Sequence, residues 1–313
     1  MTLPTAKPEN IARVKTRGLF RYPGGKTWFA PSLLRFFQAH PPELFVETFA
    51  GGAALSATVL EHTPARVWLN ELDPDVHAVH ATVYSDHAPQ LAQRILDFPF
   101  RRETVLEVLH ATPRTTLDRA FRTLVRNRVN RGGILAPGAG LVKKGENGKG
   151  LAQRWYPATL AGRIAVLHAH RHRVTVTRGD ALSILERTPF HPGTVVFVDP
   201  PYTAGKKSAG KRLYTHHQLD HARLFAACAT LRVPWLMTHE HDEAVMALAW
   251  DHGLAWRPIK MTSGHGVTAK ELVVARDFTW ADLPEQPAPP PPARMPSLFP
   301  QDDVPPHVRS TRG

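Results

Sequence analysis

The stretch VVFVDPPYTAGKK, Val195 to Lys207, reads as a buried strand that ends abruptly. Val195–Val198 is β-branched and aromatic with no charge, the composition of a strand inside a sheet. Asp199-Pro200-Pro201 stops it, because proline cannot donate to a sheet ladder and fixes the backbone just past the strand end. The turn gathers an acceptor-only carboxylate, the carbonyls of Asp199 and Pro200, and the ring of Tyr202. Such a set can accept two hydrogen bonds from an amino group and stack on the planar ring that carries it. Asp-Pro pairs also open ordinary turns, so the reading needs company elsewhere in the chain.

Upstream, in LFVETFAGGAALSATVL, Leu44–Val46 reads as a strand, Ala50-Gly51-Gly52-Ala53 as a glycine turn and Ala54–Leu60 as a helix. This unit brings backbone close to a nucleotide-like ligand in α/β proteins, although the GxGxxG fingerprint of nicotinamide enzymes is not met. In VWLNELDPD a second strand, Val67–Leu69, ends in Asn70, Glu71 and Asp73. An acidic side chain there is placed to accept hydrogen bonds from ribose hydroxyls. Further upstream, FRYPGGKTWFAPSLLRFF sets Pro23-Gly24-Gly25 and Lys26 at the start of an amphipathic helix. That turn can host an anion or simply start the helix; the Walker spacing GxxxxGK[ST] is absent.

Downstream of residue 164, RVTVTRGDALSIL gives a strand, Val174–Thr177, and Asp180 at a helix start, where N-capping is its simplest role. After the opening stretch come a helix (Leu219–Leu231), a strand (Pro234–Thr238), a helix (Glu243–Trp250) and a final pair around KELVVARDF. Strand and helix alternate, which predicts an α/β domain. Between residues 85 and 164 the pattern turns mostly helical and basic. DRAFRTLVRNRVNRGG carries Arg119, Arg122, Arg126, Arg128 and Arg131. Arg119, Arg122 and Arg126 share one helical face, a stripe suited to phosphates. A glycine- and lysine-rich loop with Lys143, Lys144 and Lys149 follows. The segment reads as an insertion that grips nucleic acid or as a solvated basic face.

Composition narrows the class. The 313 residues carry 39 Lys plus Arg against 27 acidic residues, a formal charge of +12, which favours a polyanionic partner. One cysteine, Cys228, excludes an internal disulfide and suits packing in a reducing compartment. No apolar run reaches the ~18 residues of a membrane span, and the first residues lack a signal-peptide core, so a cytoplasmic protein is expected. His168, His170 and His172 in LHAHRHR, and His239 and His241 in THEHDE, raise a metal site. Arg171 and Arg173 interleave with the first group, an arrangement hostile to a dication, and no metal site is expected.

RYPGGK, ETFAGGAAL, NELDPD, a basic insertion, GDALSIL and DPPY, in that order over residues 18–278, resemble the Dam-type (D12 class) DNA adenine-N6 methyltransferases. The resemblance implies a Rossmann-like mixed sheet of the S-adenosylmethionine-dependent methyltransferase fold with an inserted, mostly helical target-recognition domain. Residues 18–84 and 165–280 would form the catalytic domain and 85–164 the insertion, between a leader (1–17) and a proline-rich tail (281–313). It further implies S-adenosylmethionine as cofactor and double-stranded DNA as partner of a monomer. Tyr22 and Lys26 would meet the methionine end of the cofactor, and Phe49, Ala50 and Gly51 would cradle it. Glu71 would hold the ribose, Asp180 the cofactor adenine, and Asp199, Pro200, Pro201 and Tyr202 the target base. Two departures stand out: the family's FxGxG reads Phe49-Ala50-Gly51-Gly52-Ala53, and its ribose aspartate is Glu71. An N4-cytosine enzyme, an RNA adenine-N6 enzyme and a silent DNA-binding relative are the alternatives. In the tail, Met295-Pro296-Ser297-Leu298-Phe299 resembles peptides that dock on bacterial sliding clamps, or is an incidental apolar spot.

Overall fold

The computed structural model describes residues 18–21, 25–136, 138–141, 151–202, 219–262 and 268–281. Tyr22, Lys143, Lys144, Lys149 and the tail motif Met295–Phe299 lie outside them. Seven strands form one sheet: β1 (Leu44–Glu47), β2 (Arg66–Asn70), β3 (Val174–Thr177), β4 (Thr194–Val198), β5 (Trp235–Glu240), β6 (Ala255–Thr262) and β7 (Thr268–Ala275). Their order is β3-β2-β1-β4-β5-β7-β6. The first five run parallel, and β7 is antiparallel to both β5 and β6.

Alternation along the central strands builds both faces. Phe45 and Phe197, stacked with ring centroids 6.4 Å apart, face one side with α1 (Ala30–Ala39) and α2 (Ala54–His62). Val46, Val196 and Val198 face the other, with α8 (Ala181–Arg187), α9 (His221–Thr230) and α10 (Glu243–Asp251). Every β4 residue is buried, as the uncharged run requires of a strand covered on both faces. Each buried Phe contributes about 1.5–3 kcal/mol relative to exposure. Cys228 is fully buried in α9 among apolar neighbours.

A third apolar cluster joins α3 (Pro74–Val83), α4 (Ala88–Asp97), α6 (Thr116–Val129) and α7 (Pro157–Ala169), with α5 (Arg102–His110) beside α6. Leu91, Ile95, Phe121, Leu124 and Val125 fill it. The helical segment therefore packs on α3, the helix that follows β2. Among the described residues, no helix is long and apolar enough to cross a membrane.

Candidate active site

The strand order reverses between β1 and β4: β2 lies beyond β1 on one side and β5 beyond β4 on the other. In open α/β sheets, ligands bind at such a switch point, outside the carboxyl ends of the strands. Asp199 stands there, at the end of β4. Lys26 reaches it from a 3-10 turn, Lys26–Phe29, that leads into α1. Phe29, fully buried and 5.8 Å from Phe197 between ring centroids, fastens that turn to β4.

The contacts of Asp199 fall on one oxygen. Lys26 Nζ lies 3.0 Å from Oδ1, Thr238 Oγ1 donates to it at 2.8 Å, and the Tyr202 hydroxyl is 3.2 Å away. The same hydroxyl lies 3.1 Å from Glu271 Oε2, and Lys26 Nζ lies 3.6 Å from that oxygen. Burial raises the Glu271 carboxyl to about 7, against the pull of Lys26. Tyr202 stacks on His239 at 5.3 Å and 25°, and Lys26 Nζ sits 5.0 Å from its ring centroid. Burial holds His239 down to about 3, so the ring behind Tyr202 is neutral.

At the ends of β1 and β2, Glu71, the acid expected to hold a ribose, braces the glycine turn. Glu71 accepts from the Gly51 and Asp73 amides, both at 2.8 Å. Burial lifts Glu71 to about 7 despite these bonds. Gly51 takes φ +45° and Ala53, the departure from FxGxG, takes φ +48°, the left-handed region that favours glycine. The Ala53 amide closes the turn on the Ala50 carbonyl at 2.7 Å. His80 Nε2 meets the Gly51 carbonyl at 2.8 Å, and burial keeps that ring neutral by lowering it to about 4. Asn70 donates to the Thr48 and Gly179 carbonyls, tying the ends of β1, β2 and β3 together. Phe49 packs partly buried against the α8–α10 face. Asp180 caps α8, accepting from the Leu182 and Ser183 amides.

Beneath the turn, at the end of β1, Glu47 is 4% exposed. Its Oε2 accepts from the Ser56 hydroxyl at 2.5 Å and the Ser56 amide at 3.3 Å. Burial pushes this carboxyl up to about 8, so it is mostly neutral at pH 7.

The arginine stripe is engaged within the protein. Arg119, Arg122 and Arg126 converge on Asp75, in the first turn of α3, at 2.9, 3.5 and 3.1 Å. Three cations on one carboxylate still leave two positive charges at this face. Arg128 points the opposite way, is 6% exposed and donates to the Leu19 carbonyl at 2.6 Å. Arg131 is exposed. A cleft of about 370 Å³ beside the glycine turn is lined by Gly18, Arg21, Gly52, Ala54, Arg128 and Arg163, among others, with no acidic residue among the described residues of its wall.

The structure therefore brings Lys26, Asp199 and Tyr202 into one cluster and Gly51 and Glu71 into another. Glu271, Thr238 and Glu47 were not singled out from the sequence, and His239 was weighed there only as a metal ligand. A charge inside KELVVA is the one local hint of Glu271.

No protein-family model matches this chain, and no curated protein does. Two solved structures are similar over most of their length. One is a provisionally described RNA methyltransferase, PH1948, of Pyrococcus horikoshii, at 12% identity and a TM-score of 0.38, covering 85% of this chain and 94% of that one. The other is a provisionally described methyltransferase, YhhF, of Escherichia coli, at 14% identity and 0.31, covering 78% and 82%. Likenesses this remote carry no argument about chemistry. The strand order itself shows the architecture: an α/β, Rossmann-like mixed sheet.

Proposed function

We propose that the protein transfers a methyl group from S-adenosylmethionine to the N6 amine of an adenine flipped out of double-stranded DNA. One observation carries the reading. Asp199-Pro200-Pro201-Tyr202 stands at the switch point of the sheet, with the donors to Asp199 gathered on Oδ1.

The ends of β1 and β2 suit the cofactor. Gly51 turns with positive φ beside the crevice, and Glu71 retains a second lone pair on each bonded oxygen for ribose hydroxyls. Phe49, Ala50 and Gly51 would form the cradle, with Asp180 toward its adenine; Tyr22 and Lys26 would meet the methionine end. When bound, S-adenosylmethionine supplies an electrophilic sulfonium methyl.

The chain's own residues act on the base. Flipping costs a few kcal/mol of unstacking, and stacking on Tyr202 returns about 1–3 kcal/mol. His239 stacks on that ring, and Lys26 Nζ lies 5.0 Å from its centroid. Asp199 Oδ2 and the Pro200 carbonyl would accept the two amine hydrogens. Those bonds favour a pyramidal, nucleophilic nitrogen and strengthen as positive charge develops there, which makes them transition-state stabilisation. The two surplus charges around Asp75, Arg131 and the basic cleft are the described sites for backbone phosphates.

The test is nucleoside analysis of unmethylated DNA, and separately RNA, after incubation with the protein and S-adenosylmethionine. N6-methyladenine in duplex DNA is expected. N4-methylcytosine, or modification of RNA alone, would replace this substrate, and no modification of either would refute the activity.

A further inference from the structure

Glu271 is the member of the Asp199 cluster that the DPPY motif does not contain. It reaches the site because β7 runs antiparallel to β5 and pairs Glu271 with Glu240. A residue early in β7 thereby arrives at the edge where β4 and β5 end. Its side chain is almost wholly buried.

The hydrogen count around it is short by one. The Tyr202 hydroxyl has a single hydrogen, yet it lies 3.2 Å from Asp199 Oδ1 and 3.1 Å from Glu271 Oε2. It can donate to one carboxylate only; the second contact becomes a hydrogen bond when that carboxyl itself carries a proton. Lys26, shared by both, stands nearer Asp199, at 3.0 Å against 3.6 Å, and Thr238 also donates to Asp199. Glu271 is deeper, at 4% side-chain exposure against 20% for Asp199. Neutralising the deeper, less supported acid satisfies both contacts of the Tyr202 hydroxyl and leaves Asp199 as the anion nearer Lys26. Around Glu271 stand Lys26 from the turn before α1 and Asp199 and Tyr202 after β4. From β5 come Thr238, the neutral His239 behind Tyr202, and Glu240 as register partner; β6 brings apolar Ile259.

We propose that Glu271 is a positioning residue for the amine-binding carboxylate. Holding a proton, it donates to the Tyr202 hydroxyl, which donates in turn to Asp199 Oδ1, so that Lys26, Thr238 and Tyr202 together fix that oxygen and Oδ2 is turned to the substrate amine. This rests on the reading of Asp199 as the group that binds the amine. Ionising Glu271 reverses the chain: the Tyr202 hydrogen turns away from Asp199, and Lys26 is divided between two anions. Burial sets that change at about pH 7, so turnover falls as pH rises through it.

The experiment compares single-turnover methyl transfer by wild type, Glu271→Gln and Glu271→Ala from about pH 6 to about pH 9, with KM for DNA and cofactor. Glutamine keeps a donor and never ionises. Glu271→Gln is expected to match the wild type at the acid end and to hold its rate at the alkaline end, where the wild type has fallen. Glu271→Ala is expected to be about tenfold slower than Glu271→Gln throughout, with KM unchanged. A Gln variant as slow as the Ala variant, or a wild-type rate that rises through the same range, overturns the proposal. If the wild type shows no turnover, the function reading fails instead, and infrared spectroscopy decides Glu271 alone. The difference between wild type and Glu271→Gln must contain a protonated-carboxyl band that fades near pH 7; its absence overturns the proposal.

Discussion

Replacing Glu47 by glutamine is expected to stabilise the protein by an amount that grows with pH. Glu47 is almost completely buried at the end of β1, and its folded-state pKa is raised from 4.5 to about 8, chiefly by burial. A carboxyl raised in this way contributes fully below its unfolded pKa, and the contribution is lost as pH rises through the folded value. Between those limits each pH unit removes about 1.4 kcal/mol. At pH 7 the loss has reached about 3 kcal/mol. Glutamine retains an oxygen for the Ser56 hydroxyl and amide and has no proton to lose. Urea unfolding at pH 5, 6.5 and 8 reads the effect: the two proteins should be nearly equal at the acid end and separate progressively above it. Parallel stabilities across that range, or a variant that weakens with rising pH, would refute the reasoning that Glu47 is buried as the neutral acid.

Two further outcomes follow from the geometry. Ala53→Gly should raise stability by about 0.5–1 kcal/mol, because glycine adopts the φ of +48° without strain; a melting temperature higher by ~2 °C would register it, and a lower one would contradict it. Asp75→Ala removes the shared partner of Arg119, Arg122 and Arg126 and should lower stability by about 1–3 kcal/mol. It should also tighten binding to a generic DNA duplex and steepen its salt dependence, measured by fluorescence anisotropy over a salt series; unchanged salt dependence would show that this face does not meet DNA.

Several strands were legible because their residues are β-branched or aromatic runs closed by unmistakable breakers. Val195–Val198 before Asp199-Pro200 and Val174–Thr177 before Gly179-Asp180 are found within a residue of their expected limits. The glycine turn and the acidic end of β2 were each legible for the same local reason, but the bond from the Gly51 amide to Glu71 joins residues 20 apart and was not. Contacts that depend on what faces an element were not. The spacing of Arg119, Arg122 and Arg126 reveals that they share a helical face, but only the packing of α6 on α3 sets Asp75 opposite them. Glu271 and Thr238 belong to strands whose apolar pattern hides them. Their meeting with Asp199 is decided by the antiparallel insertion of β7 next to β5, which no local pattern encodes. Likewise, the left-handed φ of Ala53 arises from closing a five-residue motif over Glu71, whereas alanine taken alone would predict helix.

The central claim is that Asp199 acts on the amine that receives the methyl group. It is tested most directly by the single-turnover rate of Asp199→Asn, with binding of S-adenosylmethionine measured on the same sample. Loss of the carboxylate should slow methyl transfer by about 10²–10³-fold, the scale for removing one preorganised group at a site of developing charge, while the cofactor still binds. A variant that binds the cofactor and methylates DNA at the wild-type rate would contradict the account.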